Sequence, residues 1–124
     1  MSALPLSGIK VVDLTRVLAG PIASQMLADL GAEVIKIERP GTGDDARAFG
    51  PPYLVDPEGK QNNNNSFFLC ANRGKNSLTL DVPKPEGQEI VRELAKTADV
   101  MMENFKVGDL KRYGLDYESI KAIN

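Results

Sequence analysis

Histidine is absent from the 124 residues, and cysteine occurs once, at Cys70. Without histidine the chain can build no Ser-His-Asp triad, no Cys-His pair and no His-based metal site. One cysteine can close no internal disulfide, which fits a reducing cytoplasm. Because Cys70 sits in an aromatic run, it reads as a small buried hydrophobe rather than a nucleophile. Long apolar runs are missing too: no stretch approaches the roughly 20 residues that cross a bilayer. Met1 to Gly8 has no basic region followed by an apolar run, so no secretory signal is expected. There is no excess of positive charge either. Fifteen Lys and Arg stand against seventeen Asp and Glu, a net −2. That balance leaves no broad basic face for nucleic acid, although a local basic pocket for a phosphorylated ligand stays open. Any acid-base or nucleophilic chemistry must therefore use carboxylates, Lys, Tyr or the lone Cys.

What is present is ordinary for one globular domain: 42% hydrophobic and 26% charged residues. Ile9 to Leu14 is short, β-branched and mostly apolar, as a buried strand requires. Thr15 to Gly20 forms a turn, and Pro21 suits the first helical position. Ile22, Met26, Leu27 and Leu30 then mark the expected inner stripe of a helix, with Gly31 at its left-handed end. Glu33 to Glu38 alternates as a second strand. Two strands bracketing one helix imply a parallel pair with a right-handed crossover.

Arg39 opens a long irregular stretch reaching to about Asn65, of which residues 56–66, with their Asn tract, are expected to form a flexible tip. Phe67 to Cys70 brings the chain back to the core. Ser77 to Leu80 reads as a strand, Pro85 to Thr97 as an amphipathic helix and Val100 to Glu103 as a short buried strand. Leu110 to Tyr113 is a helical turn closed by Gly114, and Asp116 caps a last helix. An α/β alternation would next deliver another strand, so the chain reads as one incomplete domain over 1–124.

The turn at Thr15 to Pro21 lies where open α/β sheets bind ligands, beyond the carboxyl ends of the strands. A dinucleotide fingerprint there needs three glycines, and only Gly20 is present, although Glu38 falls where a ribose-binding acid would sit. An NAD-type oxidoreductase is thus the rival reading, along with a non-catalytic binding module. Arg39, directly after the second strand, offers a fork suited to phosphate or an adenine face. Asn72-Arg73-Gly74-Lys75 is a basic turn. Glu103-Asn104-Phe105-Lys106 places an aromatic face beside a cation. Asp44 and Asp45 read as turn formers with solvated side chains.

Several of these blocks, in order, resemble the family III coenzyme A transferases (the CaiB/BaiF family). They are Leu6 to Pro21, Leu30 to Gly41 with Gly43-Asp44, Asn72 to Lys75, Ala98 to Val100 and Glu103 to Phe105. The resemblance implies a Rossmann-like parallel sheet with helices on both faces, and a cytoplasmic enzyme moving CoA between carboxylic acids. It also implies an interlocked homodimer, with CoA or acyl-CoA as substrate and no metal. By position, Val17 and Ala19 would line the first turn and Arg39 the adenine and phosphate end. Asn72 and Lys75 would border the nucleotide; Asn104, Phe105, Lys106 and Arg112 would hold it from the next loop. Leu18 stands where some members place a Gln, against the formyl-CoA subtype. The family's catalytic aspartate, which forms a mixed anhydride and then a thioester with CoA, is expected beyond Asn124. Asp109 and Asp116 match no catalytic position, so the chain alone is expected to be inactive.

Overall fold

The computed structural model describes residues 3–124. Four parallel strands make the main sheet: β1 (Lys10–Asp13), β2 (Glu33–Glu38), β5 (Asn76–Thr79) and β6 (Val100–Met102). Their spatial order is β5-β2-β1-β6, with Lys10 opposite Glu33 and Val11 opposite both Val34 and Val100. β1, the first strand in sequence, is thus central. A small antiparallel hairpin, β3 (Tyr53–Val55) and β4 (Gln61–Asn65), stands apart. The helices are α1 (Ala19–Asp29), the single turn α2 (Ser66–Leu69), α3 (Pro85–Ala95) and α4 (Tyr117–Lys121).

Alternation along the strands divides the core in two. Val12, Leu14 and Ile37 pack with Val91 and Leu94 of α3 and with Leu110 and Leu115. Val11 and Val34 face the other way, onto Ala32 and onto Leu27 and Ala28 of α1. Consecutive side chains of a strand point to opposite faces, and each fully buried valine contributes about 1.5–3 kcal/mol. The architecture is therefore α/β, a parallel sheet with helices on both faces. Its strand jump from the β5 edge to the β6 edge carries α3 to the face opposite α1.

Five expectations are corrected. Of the expected inner stripe of α1 only Leu27 packs onto the sheet, while Ile22, Met26 and Leu30 are exposed and Pro21, Ser24 and Gln25 are buried instead. The reason is polar: Ser24 donates to Asp13, and Gln25 donates to the Cys70 carbonyl and accepts from the Arg73 N–H. α1 also begins at Ala19, two residues before Pro21. The Asn tract is strand β4 rather than irregular chain, and its last residue, Asn65, is fully buried. Asn65 accepts from the Phe68 N–H at 2.8 Å, capping α2, and donates to the Ala46 carbonyl at 2.8 Å. Cys70 is exposed, because the short α2 turns only Phe68 inward.

The fifth correction concerns Asp44, which is buried rather than solvated. It does shape the turn, accepting from the Ala46 N–H to start a 3₁₀ helix over Asp45–Ala48. Its burial follows from Lys36, an almost wholly buried cation in the middle of β2 that requires a counter-charge.

Candidate functional site

The carboxyl ends of β1, β2 and β6 converge with three loops, and charged side chains run beneath them. Lys36 ion-pairs with Asp44 at 2.8 Å and donates to the Thr15 carbonyl at 2.9 Å. Burial by itself would raise the Asp44 carboxyl, but Lys36 and the Ala46 and Val17 N–H groups hold it below the usual range. On the α1 side, Asp13 accepts from Thr15 N–H at 2.8 Å, from Ser24 and from Lys75 at 3.2 Å. Lys75 also donates to the Pro21 carbonyl and to Asn72, both at 2.9 Å. Its three ammonium protons are thus spent inside the protein. Burial pulls its pKa down to about 8 despite the attraction of Asp13.

Glu38 is equally engaged. Its two carboxylate oxygens accept from Arg47 Nε and Nη2 at 2.8 and 2.9 Å, from Ser77 at 2.8 Å and from the Asp44 N–H at 3.0 Å. Burial opposes the charge, but these donors outweigh it and bring the carboxyl from 4.5 to about 2. A carboxylate so occupied has no lone pair aimed at a ribose. Geometry thus disfavours the NAD-type reading.

The β1–α1 turn is strained. Val17 has φ +73°, a left-handed conformation that is an outlier for a β-branched residue. Its N–H donates to Asp44 at 3.0 Å. Preceding it, the Arg16 N–H donates to Asn104 Oδ1 at 2.9 Å, and Asn104 Nδ2 donates back to the Arg16 carbonyl at 2.8 Å. Gly20 follows where a Cβ would lie 2.4 Å from that of Thr15, so only glycine lets helix and turn approach this closely.

Above the turn lies a cavity of about 240 Å³. Its lining includes apolar Leu14, Ile37, Leu80 and Val82, aromatic Phe105 and Tyr113, the basic residues Arg16, Arg39 and Arg112, and the acidic residues Glu38, Asp44 and Asp109. Arg16 stacks on Phe105 with 4.3 Å to the ring centroid, and Arg112 on Tyr113 at 4.7 Å. Asp45 pairs with both Arg39 and Arg16.

Of the residues singled out in the sequence, Arg39, Phe105 and Arg112 share this cavity. Val17 lies in the adjoining turn, to which Asn104 is bonded, and Ala19 opens α1 directly after it. Lys106 instead lines a second cavity, of about 520 Å³, against α4. Asn72 and Lys75 lie in the polar network at Asp13, their heads already partnered. Sequence reasoning missed Arg16, Lys36 and Asp44. A lysine at the centre of an apolar strand was the available signal, since its charge requires a nearby acid.

Relatives place this geometry. A succinate–glutarate CoA-transferase of Agrobacterium fabrum is 54% identical over 97% of this chain and 30% of its own length. The human succinyl-CoA:glutarate CoA-transferase is 48% identical over 96% of this chain and 26% of its own. A formyl-CoA:oxalate CoA-transferase of Afipia carboxidovorans is 43% identical over 98% of this chain. The chain thus spans less than a third of the length of these relatives. The crystal structure of a CaiB/BaiF family protein from Brucella suis superposes with TM-score 0.90 and 54% identity, over 99% of this chain and 32% of that one. Rv3272 of Mycobacterium tuberculosis does so with TM-score 0.85 and 40% identity, over 33% of its length. The family description CoA-transferase family III matches residues 6–124, nearly the whole sequence, and the chain belongs to that family.

Proposed function

We propose that the chain is the coenzyme-A-binding N-terminal part of an enzyme that moves CoA between an acyl-CoA donor and a carboxylic acid acceptor. The observation that carries this reading is the cavity at the strand ends. An apolar floor with two aromatic rings suits a purine, and three arginines in the lining, two of them paired with Asp45, suit phosphates. Arg39 and Arg112 would meet the phosphates and Phe105 the base. Val17 and Ala19 would border the path toward the thioester, with Lys106 reaching from the neighbouring loop. Asn72 and Lys75 would support that path from beneath, through the Asp13 network.

Asp13, Glu38 and Asp44, the buried carboxylates of the described residues, each sit in an ion pair and accept further hydrogen bonds. None is presented as a nucleophile. We therefore assign the covalent carboxylate step to the part of the family fold that this chain does not span. A homodimer in the cytoplasm is the proposed setting. The exposed Ile22, Met26 and Leu30 along α1 support an interface, and the lone cysteine fits a reducing compartment.

Titration calorimetry of the chain with CoA, with 3′,5′-ADP and with NAD tests the reading. CoA and 3′,5′-ADP should compete for one site, and Arg39→Ala should weaken both. Binding of NAD with none of CoA would overturn it.

A further inference from the structure

Four consecutive backbone polar groups in the β1–α1 turn are each held by a side chain from another element. The Thr15 carbonyl accepts from Lys36, the Arg16 N–H and carbonyl both bond Asn104, and the Val17 N–H donates to Asp44. Asn104 reproduces with one amide the paired bonds of a strand neighbour, leaving that face of its side chain committed to the turn. What this holds in place is Arg16. Its guanidinium is stacked on Phe105 at the cavity wall with Nη1 3.7 Å from Asp45 Oδ2, and its Nε–H is buried without an acceptor among the described residues. A buried donor lacking a partner is costly, on the order of 1–3 kcal/mol, and a ligand oxygen that draws the guanidinium toward the cavity would relieve it.

Resting on the CoA reading, we infer that Arg16 is a ligand-binding residue of the cavity, meeting an anionic oxygen of the nucleotide. Asn104 is then a positioning residue that acts through it. This reassigns Asn104, which the family resemblance would place in direct contact with the ligand. The strain at Val17 has the same origin. Only a turn fixed from three sides keeps a valine in the left-handed region, and the fixed turn aims the preceding side chain into the cavity.

A double-mutant cycle on 3′,5′-ADP affinity, measured by titration calorimetry on the chain, tests the inference. Arg16→Ala should weaken binding about 10- to 100-fold, the range for losing one charged hydrogen bond. Asn104→Ala should weaken it by a similar factor in the wild-type background and by less than about 2-fold when Arg16 is already Ala. In the unliganded chain, Asn104→Ala should also speed hydrogen exchange at the Arg16 amide. Asn104→Asp, which keeps the acceptor but sets a carboxylate against the Arg16 carbonyl, should fall between; it replaces the alanine if that variant does not fold. An equal loss on Asn104→Ala in both backgrounds, with the Arg16 amide unchanged, would make Asn104 a direct contact and sink the proposal. If the wild type binds neither CoA nor 3′,5′-ADP, the CoA reading itself fails. Exchange at Arg16 would then still decide whether Asn104 holds the turn.

Discussion

Replacing Glu38 by Gln keeps the side chain's size, removes one charge and turns one of two acceptor oxygens into a donor, so its effect can be worked from the geometry. In the native chain Glu38 holds Arg47 through two hydrogen bonds and accepts two more, from Ser77 and from the Asp44 N–H. These donors bring its pKa from 4.5 to about 2. At 1.36 kcal/mol per pH unit, that drop is worth about 3 kcal/mol of stability. The folded pKa is the lower one. The contribution is therefore fully present above 4.5 and is lost as the pH falls toward 2. Glu38→Gln should then cost about 3 kcal/mol at pH 7, because the variant has no such charge and leaves the Arg47 guanidinium short of its partner. Urea unfolding followed by far-UV circular dichroism reads the difference. With a slope near 1.5 kcal/mol/M, the midpoint should fall by about 2 M at pH 7. The gap between wild type and variant should close steadily from pH 5 to pH 2.5. A gap that stays constant over that range, or one below about 1 kcal/mol at pH 7, would show that the Glu38 charge is not held as the geometry requires.

Lys36→Met should cost about 3–5 kcal/mol at pH 7 in thermal melts, since it strands the buried Asp44 carboxylate. The penalty should ease in acid as that carboxylate, no longer held down by Lys36, takes up a proton, and Lys36→Met with Asp44→Asn should recover most of the loss. Asn65→Ala should lower stability by about 1–3 kcal/mol, seen as a lower urea midpoint, because the α2 cap and the Ala46 carbonyl lose their partner together. Gly20→Ala tests which of two effects wins: helix propensity favours alanine by about 1 kcal/mol. The 2.4 Å approach to Thr15 opposes it, and we expect a net loss of stability and weaker CoA binding in calorimetry.

The strands of the main sheet were legible because each is short and bounded by turn residues: the central β1 is covered on both faces and reads as an apolar run, while the edge strand β5 alternates. The helix α3 was legible for the same reason, its apolar positions recurring on one face. α1 was located, but its inner face was misread in part: Leu27 packs onto the sheet as expected, yet hydrogen bonds from Ser24 and Gln25 bring a polar side inward and leave Ile22, Met26 and Leu30 exposed. Periodicity counts apolar residues and cannot weigh a buried polar network. The Asn tract was misread on composition, since a run of amides can pair as a strand when its last member finds two buried partners. Arg39, Phe105 and Arg112 were nameable from the resemblance. Arg16 was not, because its role depends on Phe105 and on Asn104, 88 positions away, and no local pattern records that contact.

Because β1 is central, the two walls of the cavity are finished at different times. β1, β2 and β5 with Arg16 and Arg39 can assemble as they leave the ribosome, whereas Phe105 and Arg112 follow β6, which must return to pair with β1. Closing a loop of 88 residues between Arg16 and Asn104 costs about 4 kcal/mol of chain entropy, and that step therefore comes late. A nucleotide that needs both walls stabilises only the form in which both are built. Bound ligand should accordingly slow unfolding while leaving the refolding rate unchanged, and the first appearance of binding should mark the arrival of β6.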